Sequence, residues 1–301
     1  MSVYLLHDDQ YNKGIFDFEL GATSTFVGVG SVPTTKKQAL SIFDPREFSG
    51  TSIVWGAHQG TNPPTFHYLD FILNAKENTT VDYIAFNKIT FTAQLSPYPV
   101  ARYLRSIEVF KKDANSNLTQ LAYYANIVTS GEKNLVLKFD ETEIPEGNSI
   151  VVRFLLEKVE RNSNLYTYGS GALYASYMQV GKSTKLESLQ APFNFPTSQV
   201  YKTTTQKSDR GKVVSTRSLQ QAFKIDLNLR NMTKDSLPQI RNMVNDLTKF
   251  PFFIYEESEI YNGEVLTNVP FCWLSKEMKS PKINTNHLYD LTIKAQGKIY
   301  E

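Results

Sequence analysis

Along the last third of the chain the hydrophobic positions change period twice. Phe223, Ile225, Leu227 and Leu229 alternate with Lys224, Asp226, Asn228 and Arg230, the period of a strand with one buried face. Leu237, Ile240, Val244 and Leu247 then recur at helical spacing. Asp235 or Ser236 can cap them, Pro238 suits the first turn and Pro251 stops the run, which predicts a helix over about 236–249. Strands are expected at 252–255, 269–274 and 288–295, the last with Tyr289, Leu291, Ile293 and Ala295 on one face, and Asn262-Gly263 marks a turn. The order predicts a β-sandwich or half-barrel with one flanking helix over residues 217–301.

Upstream the period is two almost throughout. Ser52-Ile53-Val54-Trp55, the alternating Leu69, Phe71 and Leu73, Val81-Asp82-Tyr83-Ile84-Ala85-Phe86 and Lys88-Ile89-Thr90-Phe91-Thr92-Ala93 read as successive strands. So do Arg105 to Lys111, closed by the turn-rich Lys112-Asp113-Ala114-Asn115-Ser116-Asn117, and the stretches 118–127, 135–139 and 150–156. Short strands with turn signals and no helix predict a β-sandwich over 51–180. Residues 1–50, with the alternating Gly14-Ile15-Phe16-Asp17-Phe18-Glu19-Leu20, are expected to be an arm or the domain's first strands. The polar stretch 181–216, with Thr203-Thr204-Thr205 and Ser208-Asp209-Arg210-Gly211, is expected to be a linker or long loop.

Two resemblances follow from this order. The extended strand with Leu69 and Phe71, then Ile107-Glu108-Val109-Phe110 before a polar turn, and Ile150-Val151-Val152-Arg153-Phe154 resemble the galactose-binding, discoidin-like jelly roll. Residues 200–301, a polar stretch followed by strand, helix and three strands, are similar to the tail-tube and distal-tail domains of bacteriophages. That second resemblance implies rings built by sheet-to-sheet pairing.

Composition narrows the function classes. Aromatic residues make up 13% of the chain, with 17 Tyr and 19 Phe, side chains that suit a half-buried sheet surface. The balance of 32 basic against 30 acidic residues leaves a net charge of +2 and no basic stripe, so no nucleic acid is expected as partner. The single cysteine, Cys272, sits in the apolar Val269-Pro270-Phe271-Cys272-Trp273-Leu274 and reads as a small core residue. Residues 1–9 lack the basic start and apolar core of a signal peptide, and no apolar run reaches bilayer length. No membrane partner is expected.

Chemistry-bearing motifs are scarce. His7, His58, His67 and His287 show no metal-ligand spacing, although a sheet can bring His58 and His67 together. His7-Asp8-Asp9 reads as a solvated turn, and Glu256-Glu257-Ser258-Glu259 as a charged hairpin tip. Gly169-Ser170-Gly171 lacks the spacing of a nucleophile elbow, and Gly28-Val29-Gly30 that of a phosphate loop. The expectation is therefore no enzyme, with a glycan hydrolase using sheet-borne carboxylates as the alternative, and no metal and no cofactor. The expected function is that of a virion structural protein of a phage tail or baseplate, built in the host cytoplasm. Its partners would be copies of itself in a ring and other tail proteins. Tyr166, Tyr168, Tyr174 and Tyr177 are candidate interface residues, since tyrosine gives much contact area at small entropic cost. The alternative is a carbohydrate-binding module with Trp55, Tyr98 and Tyr103 as stacking faces for a glycan.

Overall fold

A computed structural model describes residues 3–22, 40–44, 51–55, 58–60, 67–94, 104–125, 133–156, 159–162, 165–168, 170–186, 189, 200–207, 213–256, 266–267, 269–276 and 280–298. The strands of the N-terminal half are β1 (Val3–Leu6), β2 (Phe16–Ala22), β3 (Thr51–Trp55), β4 (His58–Gly60), β5 (His67–Ala75), β6 (Thr79–Gln94), β7 (Leu104–Lys112) and β8 (Leu118–Ala125). They continue with β9 (Lys133–Ile144), β10 (Ser149–Leu156), β11 (Val159–Asn162), β12 (Leu165–Tyr168), β13 (Ser170–Ala175), β14 (Tyr177–Gly181) and β15 (Thr184–Lys185). The C-terminal half holds β16 (Val200–Lys207), β17 (Val213–Gln221), β18 (Phe223–Met232), helix α1 (Leu237–Lys249), β19 (Phe252–Glu256), β20 (Leu266–Thr267), β21 (Phe271–Leu274), β22 (Lys282–Ile283) and β23 (Tyr289–Lys298). The protein is mostly β and antiparallel, with a sandwich and a helix-covered sheet, as the periodicity predicts.

The sandwich closes because its strands carry one apolar residue in two. A five-stranded sheet in the order β2-β5-β10-β7-β8 faces a six-stranded sheet in which β20-β9-β6-β13-β3 run side by side and β14 joins β6. Phe18, Phe71, Phe154 and Phe86 meet between them edge to face, with successive centroids 5.5, 5.0 and 5.9 Å apart, the arrangement that ring quadrupoles favour. In the other half a seven-stranded sheet runs β15-β1-β19-β21-β23-β18, with β22 on β23. Ile240, Met243 and Leu247 form the buried stripe of α1 and lie on Ile225, Leu227, Ile254 and Ile293. The helix ends where Phe250, before Pro251, turns extended and returns its N–H to the Asp246 carbonyl at 2.9 Å.

A third core joins the halves. Leu6, Phe253, Tyr255 and Phe271 leave the seven-stranded sheet on the face opposite α1, and pack on Tyr83, Ala85, Val136 and Tyr177 of the six-stranded sheet. The layers are thus sheet, sheet, sheet and helix, and the two inner sheets are buried on both faces. The runs Tyr83-Ile84-Ala85-Phe86 and Phe252-Phe253-Ile254-Tyr255 are fully buried, as such strands must be. A buried Phe or Tyr contributes about 1.5–3 kcal/mol through its apolar surface, so the shared layer contributes to holding the halves together.

The halves also exchange strands. Val3–Leu6, on the stretch expected to be an arm or the first strands of the N-terminal domain, pairs with β19 and β15 in the C-terminal sheet. In the other direction β20 pairs with β9. The stretch 181–216, expected to be a linker or long loop, holds β16 and the start of β17, which pair from Val200↔Gln221 to Lys207↔Val213. Val200-Tyr201-Lys202-Thr203-Thr204-Thr205-Gln206-Lys207 is rich in β-branched residues but has no apolar alternation, so the usual strand signal is missing.

Candidate functional site

The densest polar cluster is the segment between β1 and β2, which had read as a solvated turn and is instead buried. Asp9 accepts hydrogen bonds from the Asn12 backbone N–H at 3.1 Å and from Asn12 Nδ2 at 2.7 Å, an Asx-type turn. Gly14, at φ 85°, lets the chain reverse into β2. The Asn12 amide also donates to the Phe43 carbonyl at 2.7 Å, and the Tyr177 hydroxyl donates to Asp9.

Around this turn every element contributes a partner. The Gln10 amide donates to Asp8 at 2.8 Å and to the Thr80 carbonyl at 2.9 Å, while Thr79 donates to Gln10 Oε1 at 2.9 Å. Lys13 bridges Asp8 at 2.6 Å and Asp246 of α1 at 2.7 Å. His7 sits between Asp246 (Nδ1, 3.0 Å) and the Thr184 hydroxyl (Nε2, 2.8 Å). The cluster thus ties the sandwich, the helix and the edge strand β15 to one short segment. Gly181 makes room for it, since a Cβ there would stand 1.8 Å from the Asp8 carbonyl oxygen.

Electrostatics follow burial. Desolvation pushes the Asp9 carboxyl up to about 6, against the opposing hydrogen bonds of Asn12 and Tyr177. At Asp246 burial would raise the carboxyl, but the bonds from His7 and Lys13 outweigh it and hold the group below its ordinary value. Lys13 is raised, because its bonds to Asp246 and Asp8 exceed the cost of burying the ammonium. The hydrogen bonds and ion pairs of this segment fix the chain between the sandwich and α1.

The remaining chemical candidates disperse. Among the described residues no three His, Cys, Asp or Glu gather as a metal site. His58 lies on β4 and His67 on β5, in different sheets; His287 occupies a turn at φ 59°. Cys272 is fully buried and its thiol is pushed far up by desolvation, inert by the same physics that raised it. Arg153, noted in the last sandwich strand, is clamped by Asp70 through two 2.9 Å bonds and lies 3.8 Å over the Tyr68 ring.

The described aromatic candidates lie on four strands. Trp55 ends β3, the sandwich's edge strand; Tyr98 and Tyr103 lie outside the described residues. Tyr166 and Tyr168 are on β12 of a three-stranded sheet, and Tyr174 is on β13. Tyr177 is no surface residue: it is 1% exposed, in the shared core with its hydroxyl on Asp9. Its position in the period-two pattern was the same for either face, and the second buried face of β14 decides the matter. Sequence reasoning missed the ribbon of β16 and β17 altogether. It continues through Ala222 into β18, an edge strand of the seven-stranded sheet, and among the described residues it pairs with no third strand.

No helix among the described residues is long and apolar enough to cross a membrane. No family model matches the chain, and no curated protein does. Among solved structures, the CBM32-5 module of CpGH89 from Clostridium perfringens, in complex with GalNAc-β-1,3-galactose, is similar at 14% identity and a TM-score of 0.30 over 56% of this chain and 96% of that one. The CBM32-1 and CBM32-2 domains of ZmpB from Clostridium perfringens are similar at 12% identity and a TM-score of 0.29 over 58% of this chain and 42% of theirs. Both are carbohydrate-binding modules of the discoidin-like kind. Neither is a tail protein, and superpositions this loose carry no argument about what the present chain binds.

Proposed function

We propose that the protein is a structural subunit of a multimeric assembly of the phage tail or baseplate kind, and that its working parts are contact surfaces between subunits. The observation that carries the reading is the β16–β17 ribbon. A two-stranded ribbon is marginal in water without further packing, yet this one is eight and nine residues long and pairs with nothing else among the described residues. It is continuous with β18, a strand at the end of the seven-stranded sheet, and sheet edges can pair with another chain. Native mass spectrometry and negative-stain imaging of the full chain, beside a variant in which residues 201–219 are replaced by a short Gly-Ser turn, test it. The expected result is a discrete closed oligomer that falls to monomers in the variant. A monomer in both samples across the micromolar range would sink the reading.

A second reading, a glycan-binding sandwich, rests on the position of Trp55 at the end of an edge strand, where an indole can serve as a stacking face, and on the resemblance of 51–180 to galactose-binding jelly rolls. Calorimetric titration with GalNAc-β-1,3-galactose and other galactosides decides it. Saturable binding lost in Trp55→Ala supports it, and no heat at millimolar sugar removes it.

A further inference from the structure

Strand β8 ends the five-stranded sheet and pairs only with β7 among the described residues. Sheet edges are commonly guarded by a charge or a proline, yet Leu118-Thr119-Gln120-Leu121-Ala122-Tyr123-Tyr124-Ala125 holds neither. It also exposes two large apolar side chains, Leu118 at 42% and Tyr123 at 49%. In the other layer of the sandwich β9 runs beside it. The Tyr124 hydroxyl donates to the Lys138 carbonyl, and Lys111, paired with Thr119, donates to the Glu143 carbonyl at 2.8 Å. The β6–β9 register shifts between Val81 and Tyr83, and on the β9 side of that shift Asp140, Glu141 and Glu143 are all exposed. Lys182 engages Glu141 at 2.6 Å, whereas Asp140 and Glu143 form no ion pair among the described residues. An uncharged strand edge thus lies beside a row of carboxylates.

The ribbon has the complementary character. Residues 200–217 contain Lys202, Lys207, Arg210, Lys212 and Arg217 against Asp209 alone, a formal charge of +4. Residues 140–146 contain Asp140, Glu141, Glu143 and Glu146 and no base, a formal charge of −4. The whole chain carries only +2, so each segment is a local concentration that the overall balance conceals. Strands β16 and β8 are both eight residues long, and β16 pairs with β17 alone among the described residues. Two β8 edges brought together would oppose carboxylates to carboxylates, which costs energy, whereas the ribbon on β8 opposes base to acid. We propose that β16 of one subunit adds to β8 of the next, with the basic residues of the ribbon along Asp140 and Glu143. Main-chain pairing at a sheet edge supplies affinity in such contacts, and the charges fix which edge is chosen. Donor and acceptor are different surfaces, so the contact is heterologous and closes a ring when the rotation permits. It rests on the assembly reading above and names the surface that receives the ribbon.

The test divides the contact between two copies of the full chain. The acceptor copy has residues 201–219 replaced by the Gly-Ser turn. The donor copy keeps the ribbon and carries Asp140→Lys and Glu143→Lys, both at exposed positions. By native mass spectrometry each is expected to be monomeric alone, and an equimolar mixture to give a one-to-one dimer and nothing larger. A single contact lacks the avidity of a closed ring, so the mixture is read at about 100 μM. Amide hydrogen exchange of the acceptor copy should slow across 118–125 in the mixture. Adding Lys202→Glu and Arg217→Glu to the donor copy should restore its self-assembly, which an unfolded variant could not do. With the wild type oligomeric, a donor copy that assembles alone, a mixture that stays monomeric, or unchanged exchange across 118–125 would overturn this contact and leave the assembly reading standing. A monomeric wild type would remove both.

Discussion

Replacing Asp9 by Asn should change the way stability depends on pH. The Asp9 carboxyl is fully buried and titrates near 6 in the fold against an ordinary value of 3.8. The folded protein therefore holds the proton more tightly than the unfolded chain does. Stability from this group grows as pH falls from about 6 towards 4 and is absent above about 6, the reverse of a salt-bridged carboxylate. The full shift corresponds to about 3 kcal/mol, of which about 1.4 kcal/mol is realised between pH 7.5 and pH 5. Asn keeps the shape and has no titration, so the wild type should gain about 1.4 kcal/mol on the variant over that interval. In a protein of this size that is about 3 °C in Tm. Comparing variant with wild type at each pH cancels groups common to both. The depressed Asp246 carboxyl acts lower, its stabilisation present above about 3.8 and lost as pH falls through its folded value. Lys13 acts higher, its contribution present below about 10.5 and lost as pH rises through its raised value. Differential scanning fluorimetry across pH 5–7.5 reads the difference directly. Parallel profiles, or a variant that gains on the wild type as the buffer is acidified, would refute the account of Asp9 as a carboxylate held ionised at a cost.

Phe253 stands in the shared core, 5.1 Å from the Phe271 ring and fully buried, so Phe253→Ala should cost about 3–5 kcal/mol. Calorimetry of that variant should still show one transition, because the halves share the layer being weakened; two resolved transitions in the wild type would contradict the four-layer account. Gly181→Ala should lower Tm by several degrees, since the new methyl meets the Asp8 carbonyl backbone at 1.8 Å and backbone yields less readily than a side chain. Cys272 should resist aromatic disulfide reagents in the native protein and react once in urea, as followed by absorbance; fast native labelling would show that β21 opens.

Residues exposed on one face were legible in advance, and residues buried on two were not placed. The alternation of Phe223, Ile225, Leu227 and Leu229 and the helical stripe of Ile240 and Leu247 each name a single buried face, and both elements lie where that face requires. The runs 83–86 and 252–255 announce strands but not partners, because an uninterrupted apolar run has no outward face from which to infer what covers it. The shared core was hidden for that reason, and with it the exchange of β1 and β20 between halves. The polar cluster was hidden for a related one. His7, Asp8 and Asp9 look like a solvated turn when their neighbours are sought nearby in sequence, whereas the partners of His7 and Asp9, Asp246, Thr184 and Tyr177, are more than a hundred residues away.

The two failures have one physical origin and point to one reading of the molecule. A chain that buries both faces of its inner sheets has no spare apolar surface there, and it satisfies the polar segment crossing between them almost completely. What remains at the margins is the ribbon of β16 and β17 and the edge strands. Where the layers meet, Asp9, Lys13, His7 and Asp246 tie the segment between β1 and β2 to β14 and to α1.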